Sequence, residues 1–184
     1  MDLDKMKRLE NIRVDHKKVS EEHSKLLTSK KEELFKKAIS DFADFFQGKE
    51  FTVDNRPPKF SATYKELTVT LELPKASDTG FGAYSLLKLS VSKPRKEYRI
   101  TVNEIGVYPR SVIVETTYGA ASKDKVDEVD EEIKKLSGEI ANMKSHGESF
   151  KKSTLGFTLS KEDKSKEIDK QFPSLKELLA ELFK

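Results

Sequence analysis

The stretch LTVTLELP, Leu67 to Pro74, decides the fold class. Leu67, Val69, Leu71 and Leu73 alternate with Thr68, Thr70 and Glu72, and a period of two predicts a strand with one face buried and one wet. Pro74 has no backbone N–H to give a ladder and ends it. A half-buried strand needs neighbours, and the same alternation returns around Leu87–Val91, Tyr98–Val102 and Val112–Tyr118, separated by the turn-forming stretches SDTGFG, SKPRK and EIGVYPR. Phe60–Tyr64 reads as a further strand and Phe51–Val53 as a candidate one. Short connections without a helical pattern between them predict an antiparallel meander of about four to six strands.

Upstream the period is helical. From Leu3 to Phe46 there is neither glycine nor proline, and Gly48 stands where a C-cap glycine belongs. Phe35, Ile39, Phe42 and Phe46 form a stripe that Leu34, Ala38 and Phe45 widen, predicting an amphipathic helix whose phenylalanines reach the core. Towards the N-terminus the stripe thins to Ile12, His16, Val19, His23 and Leu26, and Ser29 with Glu32 has the spacing of a capping box, which leaves one helix or two open.

Downstream lies DKVDEVDEEIKKLSGEIANMKSHG, where Val126, Val129, Ile133, Leu136, Ile140 and Met143 recur at three- and four-residue steps. That is a coiled-coil seam, with Ser122 to cap its start and Gly147 its end. If this helix pairs back on the first, Val126 lies near Phe42 and Met143 near Leu26. About 24 residues span roughly 36 Å while residues 3–46 span roughly 66 Å, so the first twenty or so residues would lack cover. Leu3, Met6, Leu9, Ile12 and Val19 are therefore candidate partner-binding residues. After a strand at Thr154–Leu159, Pro173 and the capping box Ser174–Glu177 open a last amphipathic helix. Its Leu175, Leu178, Leu179 and Leu182 contain the L-x-x-L-L spacing of groove-docking helices; docking on the protein's own core competes with that reading. The expected whole is one α+β domain over 1–184: helical arm 1–48, sheet 49–120, heptad helix 121–147 and a C-terminal strand and helix segment 148–184.

Composition narrows the chemistry. Hydrophobic residues make up 35% and charged residues 36%, a balance suited to solvated helices. With no cysteine there is no disulfide, thiolate ligand or cysteine nucleophile. The charged start MDLDKMKRLENIR has no apolar signal core and no apolar run is long enough to span a bilayer, so a cytoplasmic protein is expected. His16 and His23 are about 10.5 Å apart along a helix, too far to share an ion bound at about 2.0–2.1 Å; they read as polar seam residues, and no metal or other cofactor is expected. No G-x-S-x-G, P-loop or H-E-x-x-H occurs, and Asp54, Asn55 and Arg56 before Pro57 and Pro58 read as a turn, so no catalytic residues are assigned.

For nucleic acid, TGFGAYSL departs from the RNA-recognition strand pattern at Thr79, Ala83 and Leu86 and reads as a glycine-flanked turn. All five tyrosines nonetheless fall in the strand region with Lys88, Lys93, Arg95, Lys96, Arg99 and Arg110, and stacking beside phosphate contacts needs both groups on one surface. Alternation puts Tyr98 and Arg99 on opposite faces. The expected function is a non-enzymatic macromolecular-interaction protein (an adaptor, assembly factor or inhibitor, phage-encoded inhibitors included by analogy) with another protein, or a second copy of itself, as partner. A nucleic-acid-binding sheet is the first alternative and an enzyme of unassigned class the second.

Overall fold

The computed structural model describes residues 2–78, 84–106, 128–160 and 170–184. The elements are α1 (Leu3–Gln47), β1 (Thr52–Arg56), β2 (Lys59–Tyr64), β3 (Leu67–Glu72), β4 (Ser85–Val91), β5 (Lys96–Glu104), α2 (Glu128–Lys152), β6 (Leu155–Ser160), β7 (Gln171–Phe172) and α3 (Leu175–Leu182). The chain is α+β, with the long first helix, the antiparallel sheet, a second helix on the first and a short closing helix. Val112–Tyr118, Ser122, Val126 and Arg110 lie outside the described residues. Among those described, no helix is long and apolar enough to cross a membrane. The chain divides into two compact units, Met1–Leu27 with Arg110–Lys152 and Thr28–Pro109 with Ser153–Lys184.

In the first unit α2 packs on the N-terminal part of α1. Asp2 starts α1 by accepting from the backbone N–H of Asp4 at 3.0 Å, and the helix then runs unbroken through Ser29–Glu32. Lys5 meets Asp130 at 2.5 Å, Arg13 meets Glu132 at 2.8 Å, His16 meets Glu139 at 2.9 Å and His23 meets His146 at 2.8 Å. Both sets of numbers rise together, so the helices run in the same direction. This corrects the expected return of the second helix against the first. α2 also reaches the segment expected to lack a partner, pairing with Lys5 and Arg13, and Leu9 there is buried while Leu3 and Met6 stay exposed. A heptad seam constrains which faces meet and is indifferent to relative direction.

Gly147 does not end α2, which continues to Lys152. It is a buried helical residue, placed so that an added Cβ would lie 3.8 Å from His23 Cδ2 and 3.9 Å from Leu26 Cδ2. The heptad pattern therefore persists one step further, to Phe150, which is fully buried and stacks on His146 with ring centroids 5.6 Å apart.

In the second unit all seven strands form one sheet in the order β1 to β7, every neighbouring pair antiparallel. Register follows the alternation: Leu71 opposes Phe60 and Leu89, Leu87 opposes Ile100, and Val102 opposes Phe157. These side chains share one buried face. With Phe35, Ala38, Phe42 and Phe46 of α1 and Leu175, Leu178 and Leu179 of α3, all buried, they make the core. Phe46 sits at its hub, with ring centroids 4.9 Å from Phe42, 5.1 Å from Phe45, 5.1 Å from Phe51 and 5.6 Å from Phe183. The aromatic end of α1 thus closes the core of its own unit, which is why a charged helix finishes in phenylalanine.

Two details fix the edges. α3 starts on its predicted capping box, Ser174 Oγ accepting from the Glu177 backbone N–H at 3.2 Å, and Asp41 of α1 accepts from the N–H groups of Leu175 at 3.1 Å and Lys176 at 3.3 Å. β7 escaped the sequence reading because two residues carry no periodicity. It is held by Gly156, where any Cβ would come within 2.6 Å of the Phe172 carbonyl oxygen.

Candidate interaction surface

The unburied face of the sheet is built by the same alternation that makes the core. Thr68 and Thr70 on β3, Lys88 and Ser90 on β4, and Glu97 and Arg99 on β5 all project to it, with Thr70 opposite Ser90, Lys88 opposite Arg99 and Ser90 opposite Glu97. A shallow concavity of about 670 Å³ lies there, lined by Thr68, Thr70, Lys88 and Ser90 and rimmed by Arg95 and Lys96 from the β4–β5 turn and the start of β5. The turn is anchored by Ser92, whose Oγ accepts from the Thr68 N–H at 2.8 Å.

The sequence-derived basic set divides in this geometry. Lys88 pairs with Glu97 at 3.0 Å, and Lys93 pairs with Glu66. Arg95, Lys96 and Arg99 are exposed, and among the described residues none of them has an ion pair. Aromatic groups do not join them. Tyr98 stands opposite Leu89 on the other face, Tyr64 packs against Phe51 with centroids 5.6 Å apart, and the Tyr84 hydroxyl donates to Glu104. Burial and then the Glu104 carboxylate push the Tyr84 phenol above the ordinary tyrosine range.

The apolar candidates divide as well. Leu175, Leu178 and Leu179 are fully buried and Leu182 is half-buried, so the L-x-x-L-L face belongs to the core and is not offered to a groove. On α1 Leu9 is buried and Ile12 and Val19 are half-buried, whereas Leu3 is 65% and Met6 43% exposed. The Asp54–Asn55–Arg56 cluster lies on edge strand β1, where the Arg56 Nε donates to Asp54 Oδ2 at 2.7 Å and holds that carboxyl below its usual range. Arg56 is exposed, Asp54 is half-buried, and the two satisfy each other. Among the described residues no three His, Cys, Asp or Glu side chains gather as a metal-binding group would.

Two polar features were not singled out from sequence. Lys31 is buried in the α1 stripe, its ammonium donating to the Asp78 carbonyl at 2.8 Å and the Tyr84 carbonyl at 3.4 Å, and burial lowers its pKa against the opposing pull of Asp78. A lysine three residues before Leu34 and four before Phe35 was the readable signal. The second is the His23–His146 pair, invisible in sequence because its members are 123 residues apart. No family model, curated protein or solved structure matches this chain.

Proposed function

We propose that this chain is a non-enzymatic macromolecular-interaction protein, an adaptor, assembly factor or inhibitor, that engages another protein through the outer face of its sheet, with the helix pair as a coiled-coil stalk. The observation that carries this is the open concavity between Thr68 and Lys96, whose floor is hydroxyl and whose rim carries Arg95 and Lys96. Among the described residues its one carboxylate, Glu97, is bonded to Lys88, and no histidine lines it. Turnover by acid–base or nucleophilic chemistry needs a nucleophile beside a base, whereas exposed arginine next to hydroxyls suits recognition of an acidic protein surface. A cytoplasmic setting, a phage origin and self-association belong to the same proposal.

Nucleic acid is the second reading, favoured by Arg99 on the outer face with Arg95 and Lys96 at the rim of its concavity, and disfavoured by the displacement of the tyrosines from that face. Capture of partners from the native host, identified by mass spectrometry, compares wild type with the Arg95→Glu/Lys96→Glu variant. Loss of a protein partner in the variant supports the proposal; a partner retained undiminished removes this surface from it. A shift assay with single- and double-stranded DNA and RNA at graded salt separates the second reading, which requires affinity that falls steeply with salt.

A further inference from the structure

We propose, resting on the reading of this face as a protein-docking surface, that its concavity takes a phosphate monoester carried on a side chain of the partner. Arg95 and Lys96 are the cationic clamp, and Thr70 and Ser90 are donors on the floor. The charged residues lining the concavity are Lys88, Arg95, Lys96 and Glu97, so positive charge exceeds negative by two. A phosphorylated serine, threonine or tyrosine brings about −1.5 to −2 at pH 7, where a carboxylate brings a single charge. Glu97 does not occupy the clamp, being bonded to Lys88 at 3.0 Å. Among the described residues neither Arg95 nor Lys96 is in an ion pair.

The donors come from two directions. Thr70 and Ser90 stand opposite each other across β3 and β4 and are half-buried, and among the described residues neither hydroxyl has a hydrogen-bond partner. Each can donate once, an arginine offers a planar fork of donors and a lysine three more. A phosphate monoester presents three acceptor oxygens, so floor and rim can engage different oxygens, whereas a carboxylate presents two in one plane. The concavity, about 670 Å³, leaves room around the phosphate for the side chain that carries it.

The same layout separates this ligand from a nucleic-acid backbone. Across the outer face the register runs Arg99, Lys88, Glu72, Lys59 and Arg56. Lys59 is bonded to Glu72 at 2.9 Å and Arg56 to Asp54, so the unpaired cations of this face stop at its β4–β5 end. A run of phosphodiesters needs cations repeated along its track; one dianion needs them gathered.

The test follows backbone amide shifts of the full chain in titrations, at constant ionic strength, with N-acetyl-phosphoserine amide, N-acetylglutamate amide and inorganic phosphate. The phosphoserine compound should shift amides at residues 68–70, 88–92 and 95–97 together, with a dissociation constant about tenfold below that of the glutamate compound. Arg95→Gln/Lys96→Gln should weaken it about tenfold, while Lys36→Gln/Lys37→Gln, which removes the same charge from exposed positions of α1, should leave it unchanged. Equal affinity for the phosphoserine and glutamate compounds, or equal weakening by the α1 variant, would overturn the proposal. Inorganic phosphate bound more tightly than the phosphoserine compound would assign the concavity to a free anion and overturn it as well. In capture from the native host, phosphatase treatment of the extract should remove the same partner that Arg95→Glu/Lys96→Glu loses. A partner lost in that variant but kept after phosphatase refutes the phosphate and leaves the docking surface standing; a partner kept in the variant refutes both. Capture abolished by nuclease and untouched by phosphatase decides for nucleic acid against the proposal.

Discussion

Replacing Gly147 by alanine should stabilise the protein, and the sign alone discriminates between two placements of the end of α2. Were Gly147 a C-cap in the left-handed region, alanine there would be strained and would cost about 1 kcal/mol. In the structure Gly147 is helical and five residues short of the end of α2, so alanine recovers the helix-propensity difference of about 0.8–1.0 kcal/mol. The new methyl would meet His23 Cδ2 at 3.8 Å and Leu26 Cδ2 at 3.9 Å, ordinary van der Waals contact, so nothing must move. Filling that buried space adds up to about 0.8 kcal/mol for one carbon. The expected gain is about 1–1.5 kcal/mol, which for a chain of 184 residues raises a single melting transition by roughly 2–6 °C. Circular dichroism melting and urea titration at pH 7.5 measure it. Gly138→Ala is the internal control, since it sits in the same helix with nothing within 4 Å of an added Cβ and should gain the propensity share alone. A Gly147→Ala protein less stable than wild type, with Gly138→Ala more stable, would refute the placement of this glycine inside a continuous helix.

Three further outcomes are expected. Phe42→Ala removes a fully buried ring from the hub of the second unit and should cost about 3–5 kcal/mol in urea unfolding, unlike a replacement of exposed Leu3, which should change stability little. Gly156→Ala forces a Cβ to within 2.6 Å of the Phe172 carbonyl and 2.7 Å of Ile105, so β7 must shift; a loss of about 1–3 kcal/mol together with faster exchange at residues 171–172 is the signature. In an alkaline titration followed by tyrosinate absorbance, Tyr84 should ionise above the ordinary tyrosine range, because burial and Glu104 hold its phenol protonated. The stability it contributes is complete below pH about 10 and is lost above it, and Tyr84→Phe should remove that late step.

The period switch after Gly48, the alternation in β2 to β6, the aromatic stripe of α1 and the capping box of α3 were determined by sequence alone. Each is a local pattern whose physical cause, one face buried at a period of 2 or 3.6, acts over a few residues. The same holds for the opposition of Tyr98 and Arg99, which follows from the pleat. What the tertiary structure decided is everything that depends on which distant face meets which. The heptads of α2 announce a partner helix and leave its direction open, so the parallel pairing comes from the pairings of Lys5, Arg13, His16 and His23 with Asp130, Glu132, Glu139 and His146. Gly147 carries the composition of a helix end and the position of a buried seam residue, and packing against His23 and Leu26 settled the matter. Leucine spacing in α3 is identical for a docking helix and a core helix; burial distinguished them. The hydrogen bond between His23 and His146 lies beyond any sequence window, because it forms only when two helices 123 positions apart in the chain share a side.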